Sequence, residues 1–395
     1  MHVTTTDVSL ALLLGPQLRA FAAAGYEVVG VSAPGPFVPR LEADGIGHVA
    51  LRHATRSVAP SDDVRAGAEL FALFRRLRPA IVHTHNPKPG VYGRVAARAA
   101  GVPAVVNTVH GLYATPDDRL AKRAAVYGLE RLAAACSDAE LVQNPEDLET
   151  LARLGVPRRR LHLLGNGVDL DRFTPGPRSG EARARLRAQW GAHAETVVVG
   201  AVGRLVREKG YAELFAAAGA LGEQAPQAKV VVAGPDDPAK ADGLTPAEVA
   251  GAERAGVRFL GYRSDVEDLY AAFDLYVLAS HREGFPRSAM EAAAMGLPTV
   301  ATDIRGCRQV VAPGVTGLLV PPRDAPALAE AIARLAGDPG LRRSMGEAAR
   351  RKAERDFDQR HVIELTLGVY QALRDAPRRR TPAWWRYRGG TRRSR

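Results

Sequence analysis

The sequence predicts an α/β protein of two domains, each built on a parallel β-sheet with helices on both faces. Short apolar runs alternate with segments of helical periodicity along nearly all 395 residues, which is typical of strand–helix–strand units. The alternation stops once, at a Pro-, Gly- and Arg-rich segment between Pro175 and Gly191, and then resumes. The length suits two domains of ordinary size.

The first series of elements predicts an N-terminal domain over residues 1–170, and residues 171–192 are interpreted as a linker. A C-terminal domain is predicted over 193–357, followed by a helix at 358–375 that we expect to pack back on the N-terminal domain. Residues 376–395 form a basic, aromatic tail. The predicted strands are buried on both faces, as parallel strands are; they are His2–Thr5, Tyr26–Ser32, Gly47–Leu51, Ala80–His85, Ala104–Thr108, Glu140–Gln143 and Leu161–Leu164 in the first domain, and Thr196–Gly203, Lys229–Gly234, Val257–Leu260, Asp274–Ala279, Pro298–Ala301 and Gly317–Val320 in the second.

Most of the net charge of +11 lies in the tail. From Pro377 to Arg395 there are eight arginines and no acidic residue, with Trp384, Trp385 and Tyr387 among them. Such a segment suits an anionic membrane surface, with the aromatic rings at the level of the head groups. A disordered terminus without a specific use is an equal alternative, and nucleic-acid binding is a weaker one, because the folded part contains no recognition module.

The two cysteines, Cys136 and Cys307, lie far apart and belong to no metal or disulfide motif. We therefore expect a reducing, cytoplasmic setting, with possible contact at the inner membrane face through the tail. No apolar run reaches the length needed to cross a bilayer.

The stretch His281–Gly296 is the strongest candidate for a functional site. A predicted strand precedes it, and Pro286 suits the first position of a following helix. Glu283 would then lie at the carboxyl end of a parallel strand, where open sheets place their ligands. Glu291, on the second helical turn, would face the same crevice. The spacing alone also fits a helix cap and a solvated surface charge.

A second candidate is the loop after the strand that ends at Gly203. Arg204 and Lys209 project from one strand-to-helix connection and suit a diphosphate, the arginine as a bidentate fork and the lysine as a point charge. The alternative is a solvated loop that pairs with Glu208.

Several further motifs occur in a consistent order, and together with these loops they resemble glycosyltransferases of family 4. The resemblance covers nearly the whole chain and implies the GT-B architecture, in which two Rossmann-like domains face each other across a cleft. The opening Thr4–Leu10 resembles a subgroup that builds surface polysaccharides or lipid-linked glycans. The motifs are Gly203-Arg204…Lys209-Gly210, Phe259-Leu-Gly261…Asp265, Glu283-x7-Glu291 with Gly-Phe-Pro, Gly296-x-Pro298, Gly306, His83-Thr-His85-Asn-Pro-Lys, His110-Gly111, Glu130-Arg131…Ser137-Asp138 and Asn166-Gly-Val-Asp169.

The resemblance implies a role for each motif. Arg204 and Lys209 would hold the donor's diphosphate and stabilise its charge as it leaves, Glu291 would bind the ribose, and Glu283 would bind hydroxyls of the sugar. His110 would approach that sugar near the reacting carbon. Further donor contacts are implied for Gly203, Gly261, Arg263, Gly284, Phe285, Pro286 and, weakly, Ser9, and weak acceptor contacts for His85 and Asn86.

Two departures from the family pattern affect these expectations. The loop Thr5-Thr-Asp-Val-Ser9 lacks the Gly-Gly pair that often lies near the diphosphate. The sequence Arg305-Gly-Cys-Arg308 replaces a segment of small residues, although Gly306 is kept.

Three other patterns suggest alternative chemistry. Asp169-Leu-Asp171 matches an Asp-x-Asp metal motif, but it falls in the Asn-Gly-Val-Asp segment and is interpreted as structural. We expect His83 and His85 to point to opposite faces of their strand and not to form a metal pair. A glycosidase would place its two carboxylates about 5 Å apart, and the Arg/Lys loop disfavours that reading of the two glutamates.

The expected function is a retaining, metal-independent transfer of a hexose from a nucleoside-diphosphate sugar, of the UDP type, to a lipid-linked glycan acceptor. No cofactor and no metal are expected, and the nucleotide sugar serves as co-substrate. The rival interpretations are a sugar-nucleotide epimerase of the same fold and a protein that binds nucleic acid or membrane through its tail.

Overall fold

The computed structural model describes residues 1–57, 59–85, 87–114, 118–237, 240 and 242–376. The chain divides into two compact units, Gly165–Val362 and a first unit that joins Met1–Leu164 to the segment from Ile363. Each unit is an α/β structure around one parallel sheet, which confirms the predicted fold class. Asn86 and the predicted tail from Pro377 lie outside the described residues. Among the helices that are described, none is long and apolar enough to cross a membrane.

The first unit contains seven parallel strands in the order β3-β2-β1-β4-β5-β6-β7. The order reverses where β1 and β4 lie side by side, with His2 beside His83. The strands are β1 (His2–Thr6), β2 (Val29–Ala33), β3 (Gly47–Ala50), β4 (Ile81–His85), β5 (Ala104–Val109), β6 (Ala139–Val142) and β7 (Leu161–Leu163). The helices are α1 (Gly15–Ala23), α2 (Val38–Ala43), α3 (Pro60–Leu77), α4 (Pro87–Ala100), α5 (Leu120–Ala134) and α6 (Pro145–Arg153), with a π turn at Ser9–Leu13 and a 3-10 turn at Arg158–Arg160.

The second unit contains six parallel strands in the order β10-β9-β8-β11-β12-β13, and its order reverses between β8 and β11. The strands are β8 (Val197–Val202), β9 (Ala228–Ala233), β10 (Arg258–Phe259), β11 (Leu275–Leu278), β12 (Thr299–Thr302) and β13 (Gly317–Val320). The helices are α7 (Pro177–Gln189), α8 (Tyr211–Gln224), α9 (Pro246–Arg254), α10 (Val266–Ala272), α11 (Arg287–Ala294), α12 (Arg305–Val310), α13 (Ala325–Gly337) and α14 (Pro339–Asp356), with a 3-10 turn at Arg207–Lys209. A last helix, α15, spans Gln359–Asp375.

The core of the second unit lies in two layers, one on each face of its sheet. Successive side chains of a strand point to opposite faces, so Val198 joins one layer and Val199 the other. Gly200 leaves room for the ring of Phe273, because an added Cβ would lie 2.0 Å from its Cδ2 atom. Burial on both faces explains why β8 is apolar along its length.

The segment predicted as a linker, 171–192, is instead part of the second unit. Helix α7 begins with a proline at its first turn, and Leu186 and Trp190 are buried in the core of that unit. The guanidinium groups of Arg183 and Arg187 bond to the Asp274 carboxylate at 2.5 and 2.7 Å. The prediction was wrong because a composition rich in Pro, Gly and Arg does not reveal that the arginines have carboxylate and carbonyl partners.

Candidate active site

The loops after β8 and β11 meet because these strands are neighbours at the reversal of the second sheet. Lys209 closes the 3-10 turn after β8, and Glu283 follows β11. The Lys209 Nζ atom lies 2.5 Å from the Glu283 Oε1 atom, and the Ser280 hydroxyl donates to the same oxygen at 2.7 Å. This is the point at which open parallel sheets bind ligands. The structure therefore brings together two residues that are 74 positions apart in the sequence.

Two glycines allow this close approach. Gly210 has φ +71°, and an added Cβ would lie 1.9 Å from the backbone oxygen of Ala279 at the end of β11. Gly306, in the first turn of α12, lies against Glu283, whose backbone oxygen would be 2.5 Å from an added Cβ. A side chain on either glycine would collide with the neighbouring loop. Because both positions are glycine, the loops approach closely enough for Lys209 to reach Glu283.

Arg204 lies in the same loop but has a different partner. Its guanidinium bonds to the Asp237 carboxylate at 2.6 Å, and its side chain is 42% exposed. Gly203 and Gly234 approach closely, since a Cβ on Gly234 would lie 1.8 Å from the Gly203 oxygen. The Gly234 N–H also donates to the Gly261 oxygen at 2.9 Å. The residues that follow β8, β9 and β10 are therefore in direct backbone contact next to Arg204.

Glu291 lies on α11 and is held by two side chains. The Tyr270 hydroxyl lies 3.0 Å from its Oε2 atom, and the Nε atom of Arg287 lies 3.2 Å from Oε1. Burial raises the pKa of the Glu291 carboxyl, against the opposing effects of Arg287 and Tyr270. Helix α11 begins at Arg287, so Pro286 is its cap residue rather than its first helical residue as predicted.

The remaining predicted donor residues of the second unit lie in neighbouring loops. Arg263 forms a fork on Asp265, with bonds of 2.8 and 2.5 Å. The Phe285 backbone oxygen accepts a hydrogen bond from the Asn166 amide at 3.3 Å. Gly284 lies between Glu283 and Phe285 in the same loop.

The Asp-x-Asp pattern forms a turn. The Asp169 Oδ1 atom accepts the backbone N–H groups of Asp171 and Arg172 at 3.1 and 3.0 Å. This contact is a side-chain-to-backbone turn of the kind that aspartate commonly forms. The interpretation of Asp169 as structural agrees with these bonds.

In the first unit, three imidazoles form a hydrogen-bonded row at the reversal of the sheet. The Nδ1 atom of His2 lies 3.1 Å from Nε2 of His85, and Nδ1 of His85 lies 3.2 Å from Nε2 of His110. Burial lowers the pKa of His2 and His85 well below the usual value and that of His110 to about 4. A neutral imidazole has one donor and one acceptor, so the direction of any one bond sets the tautomers along the row.

The prediction that His83 and His85 point to opposite faces is wrong. Residues two apart in a strand share a face, and their ring centroids are 4.1 Å apart. The ligand nitrogens of His2, His83 and His85 lie within 4.8 Å of one another, so they could reach one metal ion. However, both ring nitrogens of His83 already have partners, the hydroxyls of Tyr370 and Thr108.

The other predicted residues of the first unit lie at the same edge of its sheet. Ser9 opens the π turn after β1, and its hydroxyl lies 3.2 Å from that of Thr6. His85 ends β4 and is 1% exposed, so the structure buries a residue that the sequence assigned weakly to the acceptor. His110 directly follows β5.

Sequence reasoning missed the partners that hold the site. Ser280, Asp237 and Tyr270 all contact a predicted donor residue. Asp237 belongs to a Gly-Pro-Asp-Asp turn at a strand end, which is a usable signal. Tyr270 and Ser280 carry no such signal, because their roles depend on which helix and strand pack together.

The second unit carries two cations, Arg204 and Lys209, in the loop after β8, and the Glu283 carboxylate follows β11 at the same edge of the sheet. Arg204 and Lys209 are each paired with a carboxylate, Asp237 and Glu283. In each pair the carboxylate fixes the position of the cation. A phosphorylated, hydroxyl-rich ligand fits this combination of groups.

The chain matches two family models. Residues 17–172 match the model described as Glycosyltransferase Family 4, and residues 182–352 match the model described as Glycosyl transferases group 1. Together these matches cover most of both units.

Relatives and solved structures are similar to the chain over most of their length. It is 29% identical to the UDP-Gal:alpha-D-GlcNAc-diphosphoundecaprenol alpha-1,3-galactosyltransferase of Escherichia coli, covering 80% of this chain and 81% of that protein. It is 31% identical to the putative glycosyltransferase EpsD of Bacillus subtilis, covering 77% and 81%. The crystal structure of HepE from Anabaena in complex with UDP superposes with a TM-score of 0.77 at 22% identity, covering 94% and 99%. The chain therefore belongs to glycosyltransferase family 4 and is a glycosyltransferase with the GT-B fold.

Proposed function

We propose that this glycosyltransferase moves a hexose from a UDP-sugar to a lipid-linked glycan acceptor, with retention of configuration and without a metal ion. The observation that carries the proposal is the meeting of Lys209 and Glu283 at the reversal of the second sheet. The relative from E. coli is named for a UDP-galactose donor and a diphosphoundecaprenol acceptor, and HepE was solved with UDP. These names support the donor and acceptor classes proposed for this chain.

We assign the departing diphosphate to Arg204 and Lys209. Negative charge grows on the diphosphate as the bond to the sugar breaks, and fixed cations stabilise this charge more than they stabilise the ground state. A donor would displace Asp237 and Glu283 from the two cations or share them. Positive charge already placed in the fold needs little reorganisation during the reaction.

We assign the sugar hydroxyls to Glu283 and the ribose to Glu291. The Glu283 carboxylate is fixed by Ser280 and Lys209, and the Glu291 carboxylate by Tyr270 and Arg287. Carboxylates held in this way accept hydrogen bonds from hydroxyl groups in a defined direction. The assignment of His110 to the transferred sugar rests on the family resemblance.

Donor identity is tested by thermal stabilisation with a panel of sugar nucleotides. A ligand at one hundred times its Kd stabilises the folded protein by about 2.7 kcal/mol. We expect UDP-hexoses to raise the melting temperature and Arg204→Ala to abolish the shift. Arg207→Ala is the matched control, because Arg207 lies in the same loop with similar exposure but pairs with Glu248. Equal shifts for Arg204→Ala and the unaltered protein would remove the phosphate assignment.

Transfer is tested by following labelled sugar into extracted lipid. We expect Lys209→Ala to reduce turnover by about 10²–10³-fold, which is the usual effect of removing one group that stabilises developing charge. Nuclear magnetic resonance of the product reports the anomeric configuration, and an inverted product would refute retention. Conversion of the donor without any acceptor, yielding an epimer, would favour the epimerase alternative.

Metal independence is tested by chelation. We expect activity to be unchanged after treatment with a chelator and dialysis. Loss of activity that is restored by a divalent cation would contradict the proposal and would direct attention to Asp169, Asp171 and the histidines of the first unit.

The membrane role of the tail is a separate part of the proposal. We propose that residues 377–395 hold the protein at an anionic bilayer through arginines and aromatic rings. Deletion of this segment should reduce binding to vesicles that contain phosphatidylglycerol while donor turnover on a soluble acceptor stays unchanged. Unchanged vesicle binding, or the loss of an RNA-binding activity instead, would contradict it.

A further inference from the structure

Lys88, in the first turn of α4, is bound to the loop that connects β3 to α3. Its Nζ atom donates to the backbone oxygens of Thr55 and Ser57 at 3.0 and 2.7 Å, and to the Thr55 hydroxyl at 3.1 Å. The Oδ1 atom of Asp63, in the first turn of α3, lies 2.6 Å from the same nitrogen. The loop and both helices therefore meet at one ammonium group.

These contacts use every hydrogen-bond donor of the Lys88 side chain. A lysine ammonium has three N–H groups, and three oxygens of the loop accept them. The Asp63 carboxylate is paired by charge only, since its Oδ1 atom accepts no hydrogen bond within the described part of the chain. The ammonium has no donor left for a substrate, so its contacts serve to hold the loop.

The loop that Lys88 holds comes from the edge of the first sheet. β3 is the edge strand, and β2 and β1 separate it from β4. Neighbouring strands lie about 4.8 Å apart, so the loop crosses roughly 14 Å to reach the residues that follow β4. Lys88 thereby brings this loop to the place where the strand order reverses, and open parallel sheets bind their ligands at such places.

We propose that Lys88 is a positioning residue for the acceptor, because it holds the β3–α3 loop as one wall of an acceptor site in the first unit. The inference rests on the proposed function, in which the lipid-linked sugar is the second substrate. The cations and carboxylates assigned to the donor belong to the second unit. The reversal of the first sheet is thus left for the acceptor, and Lys88 acts there through the loop rather than on the reacting atoms.

Cleavage by trypsin tests whether Lys88 holds the loop. Arg56 is exposed in the loop, and proteases cut exposed loops at a rate that follows how often the loop opens. Lys88→Met keeps most of the length of the side chain but removes its charge and its three hydrogen bonds. We expect cleavage after Arg56 to become about tenfold faster or more, because hydrogen bonds to a charged group are lost.

The matched control for this measurement is Lys229→Met. Lys229 also donates to a backbone oxygen, that of Gly191 at 2.7 Å, but it lies in the second unit. Its replacement should leave the rate of cleavage after Arg56 unchanged. Equal cleavage rates in Lys88→Met and in the unaltered protein would overturn the proposal.

Steady-state transfer tests whether the loop serves the acceptor. The substrates are a UDP-hexose and a short polyprenyl diphosphate that carries GlcNAc, which is the acceptor class in the name of the E. coli relative. We expect Lys88→Met to raise the KM for the acceptor by about tenfold or more and the KM for the donor by less than about twofold. A similar rise in both KM values would indicate a general loss of structure and overturn the acceptor role, as would faster cleavage with an unchanged acceptor KM.

A second variant keeps the test valid if Lys88→Met does not fold. Asp63→Asn removes the paired charge and leaves the three hydrogen bonds of Lys88 in place, so it should shift cleavage and acceptor KM in the same direction by a smaller factor. No shift in either quantity would overturn the proposal in that case. Trypsin cleavage needs no substrate, so the two proposals fail separately: absence of transfer by the unaltered protein counts against the proposed function, and unchanged cleavage in the variants counts against the role of Lys88.

Discussion

Mild acid should destabilise the first unit selectively, because four of its histidines are held neutral. Burial lowers the pKa of His2, His83 and His85 well below the usual value and that of His110 to about 4. In the unfolded chain each would titrate near 6.5. As the pH falls below 6.5, the unfolded chain takes up protons that the folded unit does not, so the free energy of unfolding decreases. The loss continues until the pH reaches the folded pKa.

The size of this effect follows from the proton linkage. At pH 6 each histidine would cost roughly 1 kcal/mol, and at pH 5 roughly 2 kcal/mol, if the folded form stays neutral. The four histidines titrate independently only in the unfolded chain, and together they would remove several kcal/mol between pH 7 and pH 5, on the order of the whole stability of an ordinary domain. Ordinary carboxylates remain largely ionised above pH 5, so they contribute little to this range.

Hydrogen exchange of peptides from β4, measured at pH 7, 6 and 5 and corrected for the intrinsic rate, reports the stability of the first unit directly. Peptides from β8 report the second unit in the same sample. We expect protection to fall much more steeply in β4, and His85→Gln to reduce the slope by about 1 kcal/mol per pH unit between pH 7 and pH 5. His193→Gln is the control, since His193 is exposed in the second unit. Parallel losses in both strands, or an unchanged slope in His85→Gln, would refute the reasoning.

Three further predictions concern the second unit. Gly210→Ala should lower the free energy of unfolding of the second unit by more than the ~1–2 kcal/mol cost of a left-handed alanine, because the methyl group also meets Ala279. Gly219→Ala is the control, since its methyl group would meet nothing within 4 Å. It should stabilise α8 by about 0.5–1 kcal/mol in the same urea titration. Trp190→Ala should cost about 3–5 kcal/mol in urea unfolding, and a cost below 1 kcal/mol would show that α7 is not part of the core. Glu291→Gln should raise the KM for the donor by about tenfold or more, with a smaller change in kcat. The reason is that a hydrogen bond to a charged acceptor is lost in both the ground state and the transition state. A fall in kcat alone would contradict the ribose assignment.

The regular part of the fold could be predicted from local pattern. All thirteen strands of the two sheets overlap a predicted apolar run, and β13 has the predicted bounds. Parallel strands are buried on both faces, so their composition alone distinguishes them from the helices between them.

The candidate site could be predicted as a set of strand-end residues, but not as a set of contacts. Gly203, Arg204, Lys209 and Glu283 follow strands in the sequence, and that placement alone points to one edge of a sheet. That Lys209 meets Glu283 depends on β8 lying beside β11, which is a property of strand order.

By itself the sequence determined the two series of parallel strands, the loop with Arg204 and Lys209 after one strand, and Glu283 after another, because these follow from composition and spacing along the chain. Only the tertiary structure decided that α7 belongs to a core, that His2 of β1 lies beside His83 of β4, and that Tyr270 holds Glu291. The physical reason is the same in each case. Whether a polar or charged side chain is buried, paired or exposed depends on neighbours that strand order and helix packing bring from distant positions, and no local pattern records those neighbours.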